Sequence, residues 1–170
     1  MMLLHPTPIG VLRLCAEDGA LTGIYFPDHQ PAPRSLPTTR AKGDASALRD
    51  AGEQLDAYFA GDRTTFALRL SAHGTPFEQS VWRTLAEIPI GATSTYRAIA
   101  AHIGRARSAR AVARAIARNP LSIVVPCHRV IGSNGALRGY AGGLRAKAWL
   151  LHHESGAQGG CAGCAHSAHS

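Results

Sequence analysis

Apolar and polar positions change their spacing along the chain, and the changes mark out its elements. Val11-Leu12-Arg13-Leu14-Cys15 and the run Leu21 to Phe26 flank a turn near Asp18-Gly19, which predicts a β-hairpin within residues 7–27. Residues 27–45 hold four prolines among small and polar residues and read as a loop. Leu48, Ala51, Leu55, Tyr58 and Phe59 then share one helix face, and Gly61 closes that helix. Thr65 to Leu70 reads as another strand.

After a linker at Ser71-Ala72-His73-Gly74 comes Thr75-Pro76-Phe77-Glu78. Threonine at the N-cap, proline at the first helical position and glutamate three residues after the cap all signal a helix start. Phe77, Val81, Trp82 and Leu85 supply its apolar face, and the stretch from Pro89 to Gly91 ends it. Two short helices follow. The first, capped by Ser94 or Thr95, runs from about Tyr96 to Ile103 and stops at Gly104; the second, capped by Ser108, runs to about Arg118, where Asn119-Pro120 halts it. Two short helices joined by a Gly-containing turn outline a helix-turn-helix. Leu121-Ser122-Ile123-Val124-Val125 predicts a buried strand, Ser133-Asn134-Gly135 a turn, and Leu144 to Glu154 a final amphipathic helix.

The expected fold is therefore α/β. A small N-terminal α/β lobe with antiparallel strands (1–73) precedes a mostly helical, winged-helix-like domain containing the helix-turn-helix (74–155). Residues 156–170, rich in Gly, Ala, Ser and His, are expected as a disordered tail.

Composition adds a partner and a compartment. Hydrophobic residues make up 45% of the 170, ample for a core. The net charge is +7, and ten of the eighteen Lys and Arg lie after residue 96, which points to a polyanion. No run of about twenty apolar residues predicts a membrane span, and the N-terminus does not read as a signal peptide. Cys15, Cys127, Cys161 and Cys164 form no evident disulfide framework, and a reactive thiol favours a reducing compartment, so a cytoplasmic location is expected.

The chemistry concentrates in Pro126-Cys127-His128-Arg129-Val130. A thiol must lose its proton to become a good nucleophile, and an imidazole suits that proton near neutral pH. The competing reading is a buried structural cysteine. A second feature is the stripe Arg107, Arg110, Arg114 and Arg118 on one helix face, interleaved with Ala109, Ala111, Ala113, Ala115 and Ala117, with Val112 and Ile116 on the buried side. Alanine and arginine read few base edges, but they permit close approach and phosphate neutralisation, which suits sequence-indifferent binding in a narrow groove. In the tail, Cys161, Cys164, His166 and His169 have metal-ligand chemistry, but their spacing is too short for an ordinary zinc finger, so no metal site is expected.

The stretch Asn119 to Gly132 resembles the active-site signature of the O6-alkylguanine-DNA alkyltransferases. Thr95-Tyr96, Ser108-Ala109-Arg110-Ala111-Val112, Gly139-Tyr140-Ala141-Gly142-Gly143 and Trp149-Leu150-Leu151-His152-His153-Glu154 resemble further blocks of that family. The likeness is good over 75–155, looser before it (mainly Pro8-Ile9-Gly10) and absent from the last fifteen residues. It implies direct repair. Cys127 would take the alkyl group from O6 of an everted guanine, His128 would accept the thiol proton through a water, and Glu154 would orient His128. Tyr96 would help rotate the nucleotide and protonate the leaving base at N3, and Asn119 would brace the nucleophile's turn. Tyr140 and Ala141 would cover the base, and main-chain carbonyls of Cys127 and Val130 would accept from its amino group. Arg110 would fill the gap in the duplex, with Ala109, Ala111, Arg107 and Arg114 along the groove.

The implied partner is double-stranded DNA carrying O6-alkylguanine, with alkylated thymine left open. No cofactor and no membrane are implied, and a monomer is expected, its cooperativity on DNA left open. Each molecule would act once, since a thioether is a poor leaving group. The alternative from another class is a lesion-binding sensor or regulator that does not repair; loss of the cysteine would mark it, and Cys127 is present. A cysteine hydrolase would need an oxyanion-hole signature, and none is evident.

Overall fold

A computed structural model describes residues 1–38 and 40–159. The chain opens on a three-stranded antiparallel sheet, β1 (Met2–Thr7), β2 (Gly10–Glu17) and β3 (Ala20–Tyr25), in that order across the sheet. The hairpin foreseen from the apolar runs is β2–β3, and its turn places Asp18 and Gly19 at positive φ. β1 was not foreseen. Met2, Leu3 and Leu4 are exposed on the sheet edge, so that strand shows no inward-outward alternation to read.

Helix α1 (Asp44–Phe59) lies against the sheet and buries Leu48, Ala51, Leu55 and Tyr58, the face read from the sequence. Thr65 to Leu70 forms no regular strand. Only Leu70 bridges, to Leu21 of β3, with the Leu21 N–H donating to the Arg69 carbonyl and the Ser71 N–H to the Leu21 carbonyl. The segment is extended because it runs beside β3, but it contributes a single bridge rather than a ladder.

Helix α2 (Pro76–Ala86) starts as foreseen. The Thr75 hydroxyl accepts from the Glu78 N–H and Glu78 accepts from the Thr75 N–H, a reciprocal cap. Strand β4 (Ser94–Thr95) leads into α3 (Tyr96–His102), capped by Thr95. Helix α4 (Ala109–Ala117) follows, and α2, α3 and α4 pack together. Ser108 does not cap α4 with its side chain, because it already stands in a turned conformation (φ −105°, ψ 28°) that keeps the hydroxyl off the helix N–H groups. Strand β5 (Val130–Ile131) pairs in parallel with β4, the small wing of the helix-turn-helix.

The predicted strand at 121–125 is a tight turn. The Val125 N–H donates to the Leu121 carbonyl and the Val124 N–H to the Ser122 carbonyl, and Ile123 sits at φ +76°, rare for a β-branched residue. The residues are apolar because the turn is pushed into the core, not because they pleat. Helix α5 (Leu144–Gly159) closes the described chain and runs past Glu154, so residues 156–159, expected as tail, are helical. Cys161, Cys164, His166 and His169 lie outside the described residues.

One apolar core joins both halves, with Leu12, Leu21 and Leu55 in the same cluster as Trp82, Val112 and Leu150. The seam is also hydrogen-bonded. The Ile24 N–H donates to the Pro120 carbonyl (2.7 Å), seating the turn before Cys127 on the edge of β3. At α2, Arg34 from the long loop grips Glu78 with two bonds of 2.8 Å.

Thr75→Ala removes the cap of α2 and is expected to lower stability by about 1 kcal/mol, read as a lower urea midpoint with an unchanged slope.

Candidate active site

Cys127, His128 and Arg129 form one turn of 3-10 helix between Pro126 and β5. Pro126 ends the tight turn and fixes the approach, and the Val130 N–H closes the new turn on the Cys127 carbonyl. Asn119 braces the preceding residues from within: its amide donates to the Val125 carbonyl (2.8 Å), and its oxygen accepts from the Leu121 N–H (3.0 Å). Being buried, it satisfies backbone groups that the tight turn leaves without a ladder.

Around this turn the structure gathers a charged cluster with almost no water contact. His128 and Glu154 are 0% and 1% exposed, and His128 Nε2 lies 2.7 Å from Glu154 Oε1. Arg129 donates from Nε to Glu154 Oε2 (2.8 Å), from Nη2 to Oε1 (2.9 Å), and from Nη1 to the Ile88 carbonyl. Tyr58 of α1 adds its hydroxyl to Glu154 Oε1 at 2.7 Å. Burial works to raise the Glu154 carboxyl, but hydrogen bonds from His128 and Arg129, with their charges, overrule it and hold it down to about 2. Glu154 is thus an anion that can only accept, so Nε2 of His128 carries the hydrogen and Nδ1 keeps its lone pair. Nδ1 is buried and has no protein partner.

The Cys127 thiol is buried, which pushes its pKa up; the Asn119 side chain, the Lys147 charge and the N–H groups of Cys127 and His128 pull the other way without reversing it. The resting thiol keeps its proton at neutral pH. Burial lowers the pKa of His128, with Glu154 opposing, so the imidazole is neutral and able to accept. Lys147 of α5 is fully buried, donates to the Arg138 carbonyl (2.7 Å) and is pushed down to about 8 by burial, with Cys127 opposing.

Two tyrosines stand near Cys127. Tyr96, at the start of α3, donates to the Arg138 carbonyl at 3.3 Å. Burial, and then Cys127, raise its pKa, so it is a neutral phenol with a proton to give. The Tyr140 ring stands between Phe26 (5.5 Å) and His128 (6.5 Å), its hydroxyl buried without a protein partner. Ala141 is buried, and its carbonyl accepts from Gln30 N–H of the N-terminal loop (3.2 Å). Val130 is fully buried on β5.

The structure therefore brings together Cys127, His128, Glu154, Asn119, Tyr96, Tyr140, Ala141 and Val130. The α4 residues make an outer surface instead. Arg110 and Arg114 are exposed, as is Arg107 in the preceding turn, and Ala109 and Ala111 are half-buried. Arg118 lies close enough to Glu78 to lower its pKa, so part of that arginine's charge is answered within the protein. Sequence reasoning missed Tyr58, Arg129 and Lys147. One signal was available for the carboxylate's partners: Glu154 is the only acidic residue after Glu87, so nearby buried cations had one acid to share. Among the described residues, no group of three or more His, Cys, Asp or Glu is placed to hold a metal ion.

Fold and site define a helix-turn-helix protein with a buried cysteine nucleophile. Two family profiles match nearly all of it: "6-O-methylguanine DNA methyltransferase, DNA binding domain" over residues 76–156, and "6-O-methylguanine DNA methyltransferase, ribonuclease-like domain" over residues 3–72. Similar proteins include the methylated-DNA–protein-cysteine methyltransferase of Mycobacterium leprae, 45% identical over 148 residues (87% of this chain, 88% of that protein). The constitutive enzyme of that name from Bacillus subtilis is 44% identical over 151 residues (87% of this chain, 91% of that protein). Among solved structures, Mycobacterium tuberculosis OGT in complex with DNA superposes with a TM-score of 0.80 at 40% identity, covering 91% of this chain and 92% of that one. The chain belongs to the 6-O-methylguanine DNA methyltransferase family.

Because the Glu154 carboxyl is held at about 2 against an ordinary 4.5, the stability it contributes is complete above the ordinary value and drains as pH falls toward 2. Urea midpoints measured from about pH 6 to about pH 2.5 are expected to fall across that window, and less steeply in Glu154→Gln.

Proposed function

We propose that this protein repairs alkylated DNA directly, moving the alkyl group from O6 of guanine in duplex DNA to its own Cys127. The observation that carries the reading is a buried thiol followed by a histidine whose inner nitrogen is free and whose outer nitrogen is tied to a carboxylate. Nucleophile, base and orienting acid follow in the order such chemistry requires.

The thiol proton passes to His128 Nδ1 through a bridging water. The sulfur forms a bond to the alkyl carbon, and the carbon–O6 bond breaks. Its electron pair leaves with the base, which takes a proton at N3 from Tyr96, and the imidazolium is held by Glu154. The alkylated oxygen lies inside the base stack, so the nucleotide must first swing out; that costs a few kcal/mol, less for a lesion that pairs badly. Tyr96 crowds the nucleotide during rotation, and Tyr140 and Ala141 cover it afterwards. Carbonyls of Cys127 and Val130 accept from the guanine amino group, which adenine lacks at that position. Arg110 occupies the vacated space, while Ala109 and Ala111 let α4 approach closely and Arg107 and Arg114 neutralise phosphates.

The protein acts as a monomer in the cytoplasm and needs no cofactor, since the DNA is the alkyl donor. No helix among the described residues is long and apolar enough to cross a membrane.

Incubation with a duplex containing labelled O6-methylguanine is expected to add one methyl mass to the peptide holding Cys127, at no more than one label per molecule. Cys127→Ser is expected to bind the same duplex and take no label. Label on another residue, or repeated turnover, contradicts the reading. Arg110→Ala is expected to slow transfer from duplex far more than from a single-stranded oligonucleotide, where no stack needs filling; single-turnover rates on the two substrates measure this.

A further inference from the structure

Tyr58 belongs to the N-terminal lobe, yet its hydroxyl ends on the carboxylate of the transfer site. It is fixed at both ends. The ring is packed among Phe59, Phe66 and His153, with centroids 5.2–5.5 Å away, and the Tyr58 carbonyl accepts from His153 Nε2 at 2.7 Å. The hydroxyl has one hydrogen, and since Glu154 can only accept, that hydrogen points to Oε1. The same oxygen takes His128 Nε2 and Arg129 Nη2. Three donors therefore crowd the oxygen that orients the histidine.

We propose that Tyr58 is a positioning residue for alkyl transfer: from the N-terminal lobe it fixes the Glu154 carboxylate and limits how strongly Oε1 pulls on the His128 N–H. This rests on the assignment of Cys127 and His128 as nucleophile and base. Each donor spreads the carboxylate's charge, so removing one concentrates that charge on the remaining partners. Without the tyrosine hydroxyl, Oε1 stabilises imidazolium more strongly, and His128 holds a proton at higher pH. The other charged and titratable groups facing His128 and Glu154 are Arg129, Lys147, Cys127 and Tyr140, and none of them changes in a Tyr58→Phe variant. Phenylalanine keeps the ring contacts, and Glu154 keeps three donors, so the substitution leaves no charge unpaired.

The test is single-turnover transfer from O6-methylguanine duplex, followed against pH for the wild type, Tyr58→Phe and Leu55→Ala. Leu55 is a fully buried core residue of the same helix and touches none of this chemistry. The wild-type rate is expected to rise with pH as His128 becomes neutral. In Tyr58→Phe that limb moves to higher pH by about half a unit to one unit, so transfer below it is about three- to tenfold slower. Leu55→Ala lowers the urea midpoint and leaves the limb in place. A Tyr58→Phe limb that stays put or moves to lower pH overturns the proposal. If Tyr58→Phe is poorly folded, the His128 titration followed by NMR in the folded fraction gives the same decision: a midpoint that is not raised overturns it. Absence of transfer by the wild type would instead refute the alkyl-transfer reading itself.

Discussion

A buried carboxylate is costly unless every lone pair is used, and Glu154 uses four donors from three other side chains. Taking such a charge out of water costs several kcal/mol, which is offset only when the geometry of the surrounding donors is good. The requirement reaches across the whole molecule. Arg129 and His128 come from the nucleophile's turn, Tyr58 from α1, and Glu154 itself from α5. None of these elements can shift without leaving a charge or a donor unpaired in the interior. The packing of α1 against the later part of the chain and the pose of the histidine are thus one constraint.

The thiol is handled differently. A pre-formed thiolate at this depth would need its own counter-charge, and although the nearby ammonium of Lys147 and the Asn119 amide pull the thiol pKa down, burial wins. The sulfur stays protonated until a base is ready. The neutral His128 has its acceptor nitrogen unoccupied by protein, so ionisation and attack can be coupled. The backbone strain at Ile123, in the turn just before Pro126, is held by Asn119 and by the seat on β3 rather than relaxed.

Local signals proved the most legible. The reciprocal cap at Thr75, the buried face of α1 and the two helices around Gly104 are written in neighbouring residues, and the structure has them. The turn at 121–125 misled because β-branched residues in a row look like a strand whether they pleat or fold back, and what decides between the two, the Asn119 side chain, acts from outside the run. Tyr58 was correctly placed on the buried helix face, but its partner is 96 residues away, and nothing in a helical spacing says where a hydroxyl ends. Arg129 stands inside the motif, but nothing in its neighbours says that its guanidinium is buried against a carboxylate 25 residues away. Cys127, His128 and Glu154 were legible through family resemblance; residue types alone left a structural cysteine equally open.

Single use follows from the same desolvation that governs the thiol. Burial disfavours the charged sulfur relative to any neutral form. Thiol and thioether are both neutral, so the environment tolerates the resting and the alkylated protein alike and penalises only the thiolate between them. Returning the alkyl group to any acceptor would regenerate that thiolate in the apolar interior, next to an imidazole which by then has accepted its proton. Nothing in the cluster supplies a stronger nucleophile: Tyr96 and Tyr140 are neutral phenols with raised pKa values, and Lys147 is committed to the Arg138 carbonyl. A site built to make the forward displacement easy without keeping a free thiolate has, by that choice, no inexpensive way back.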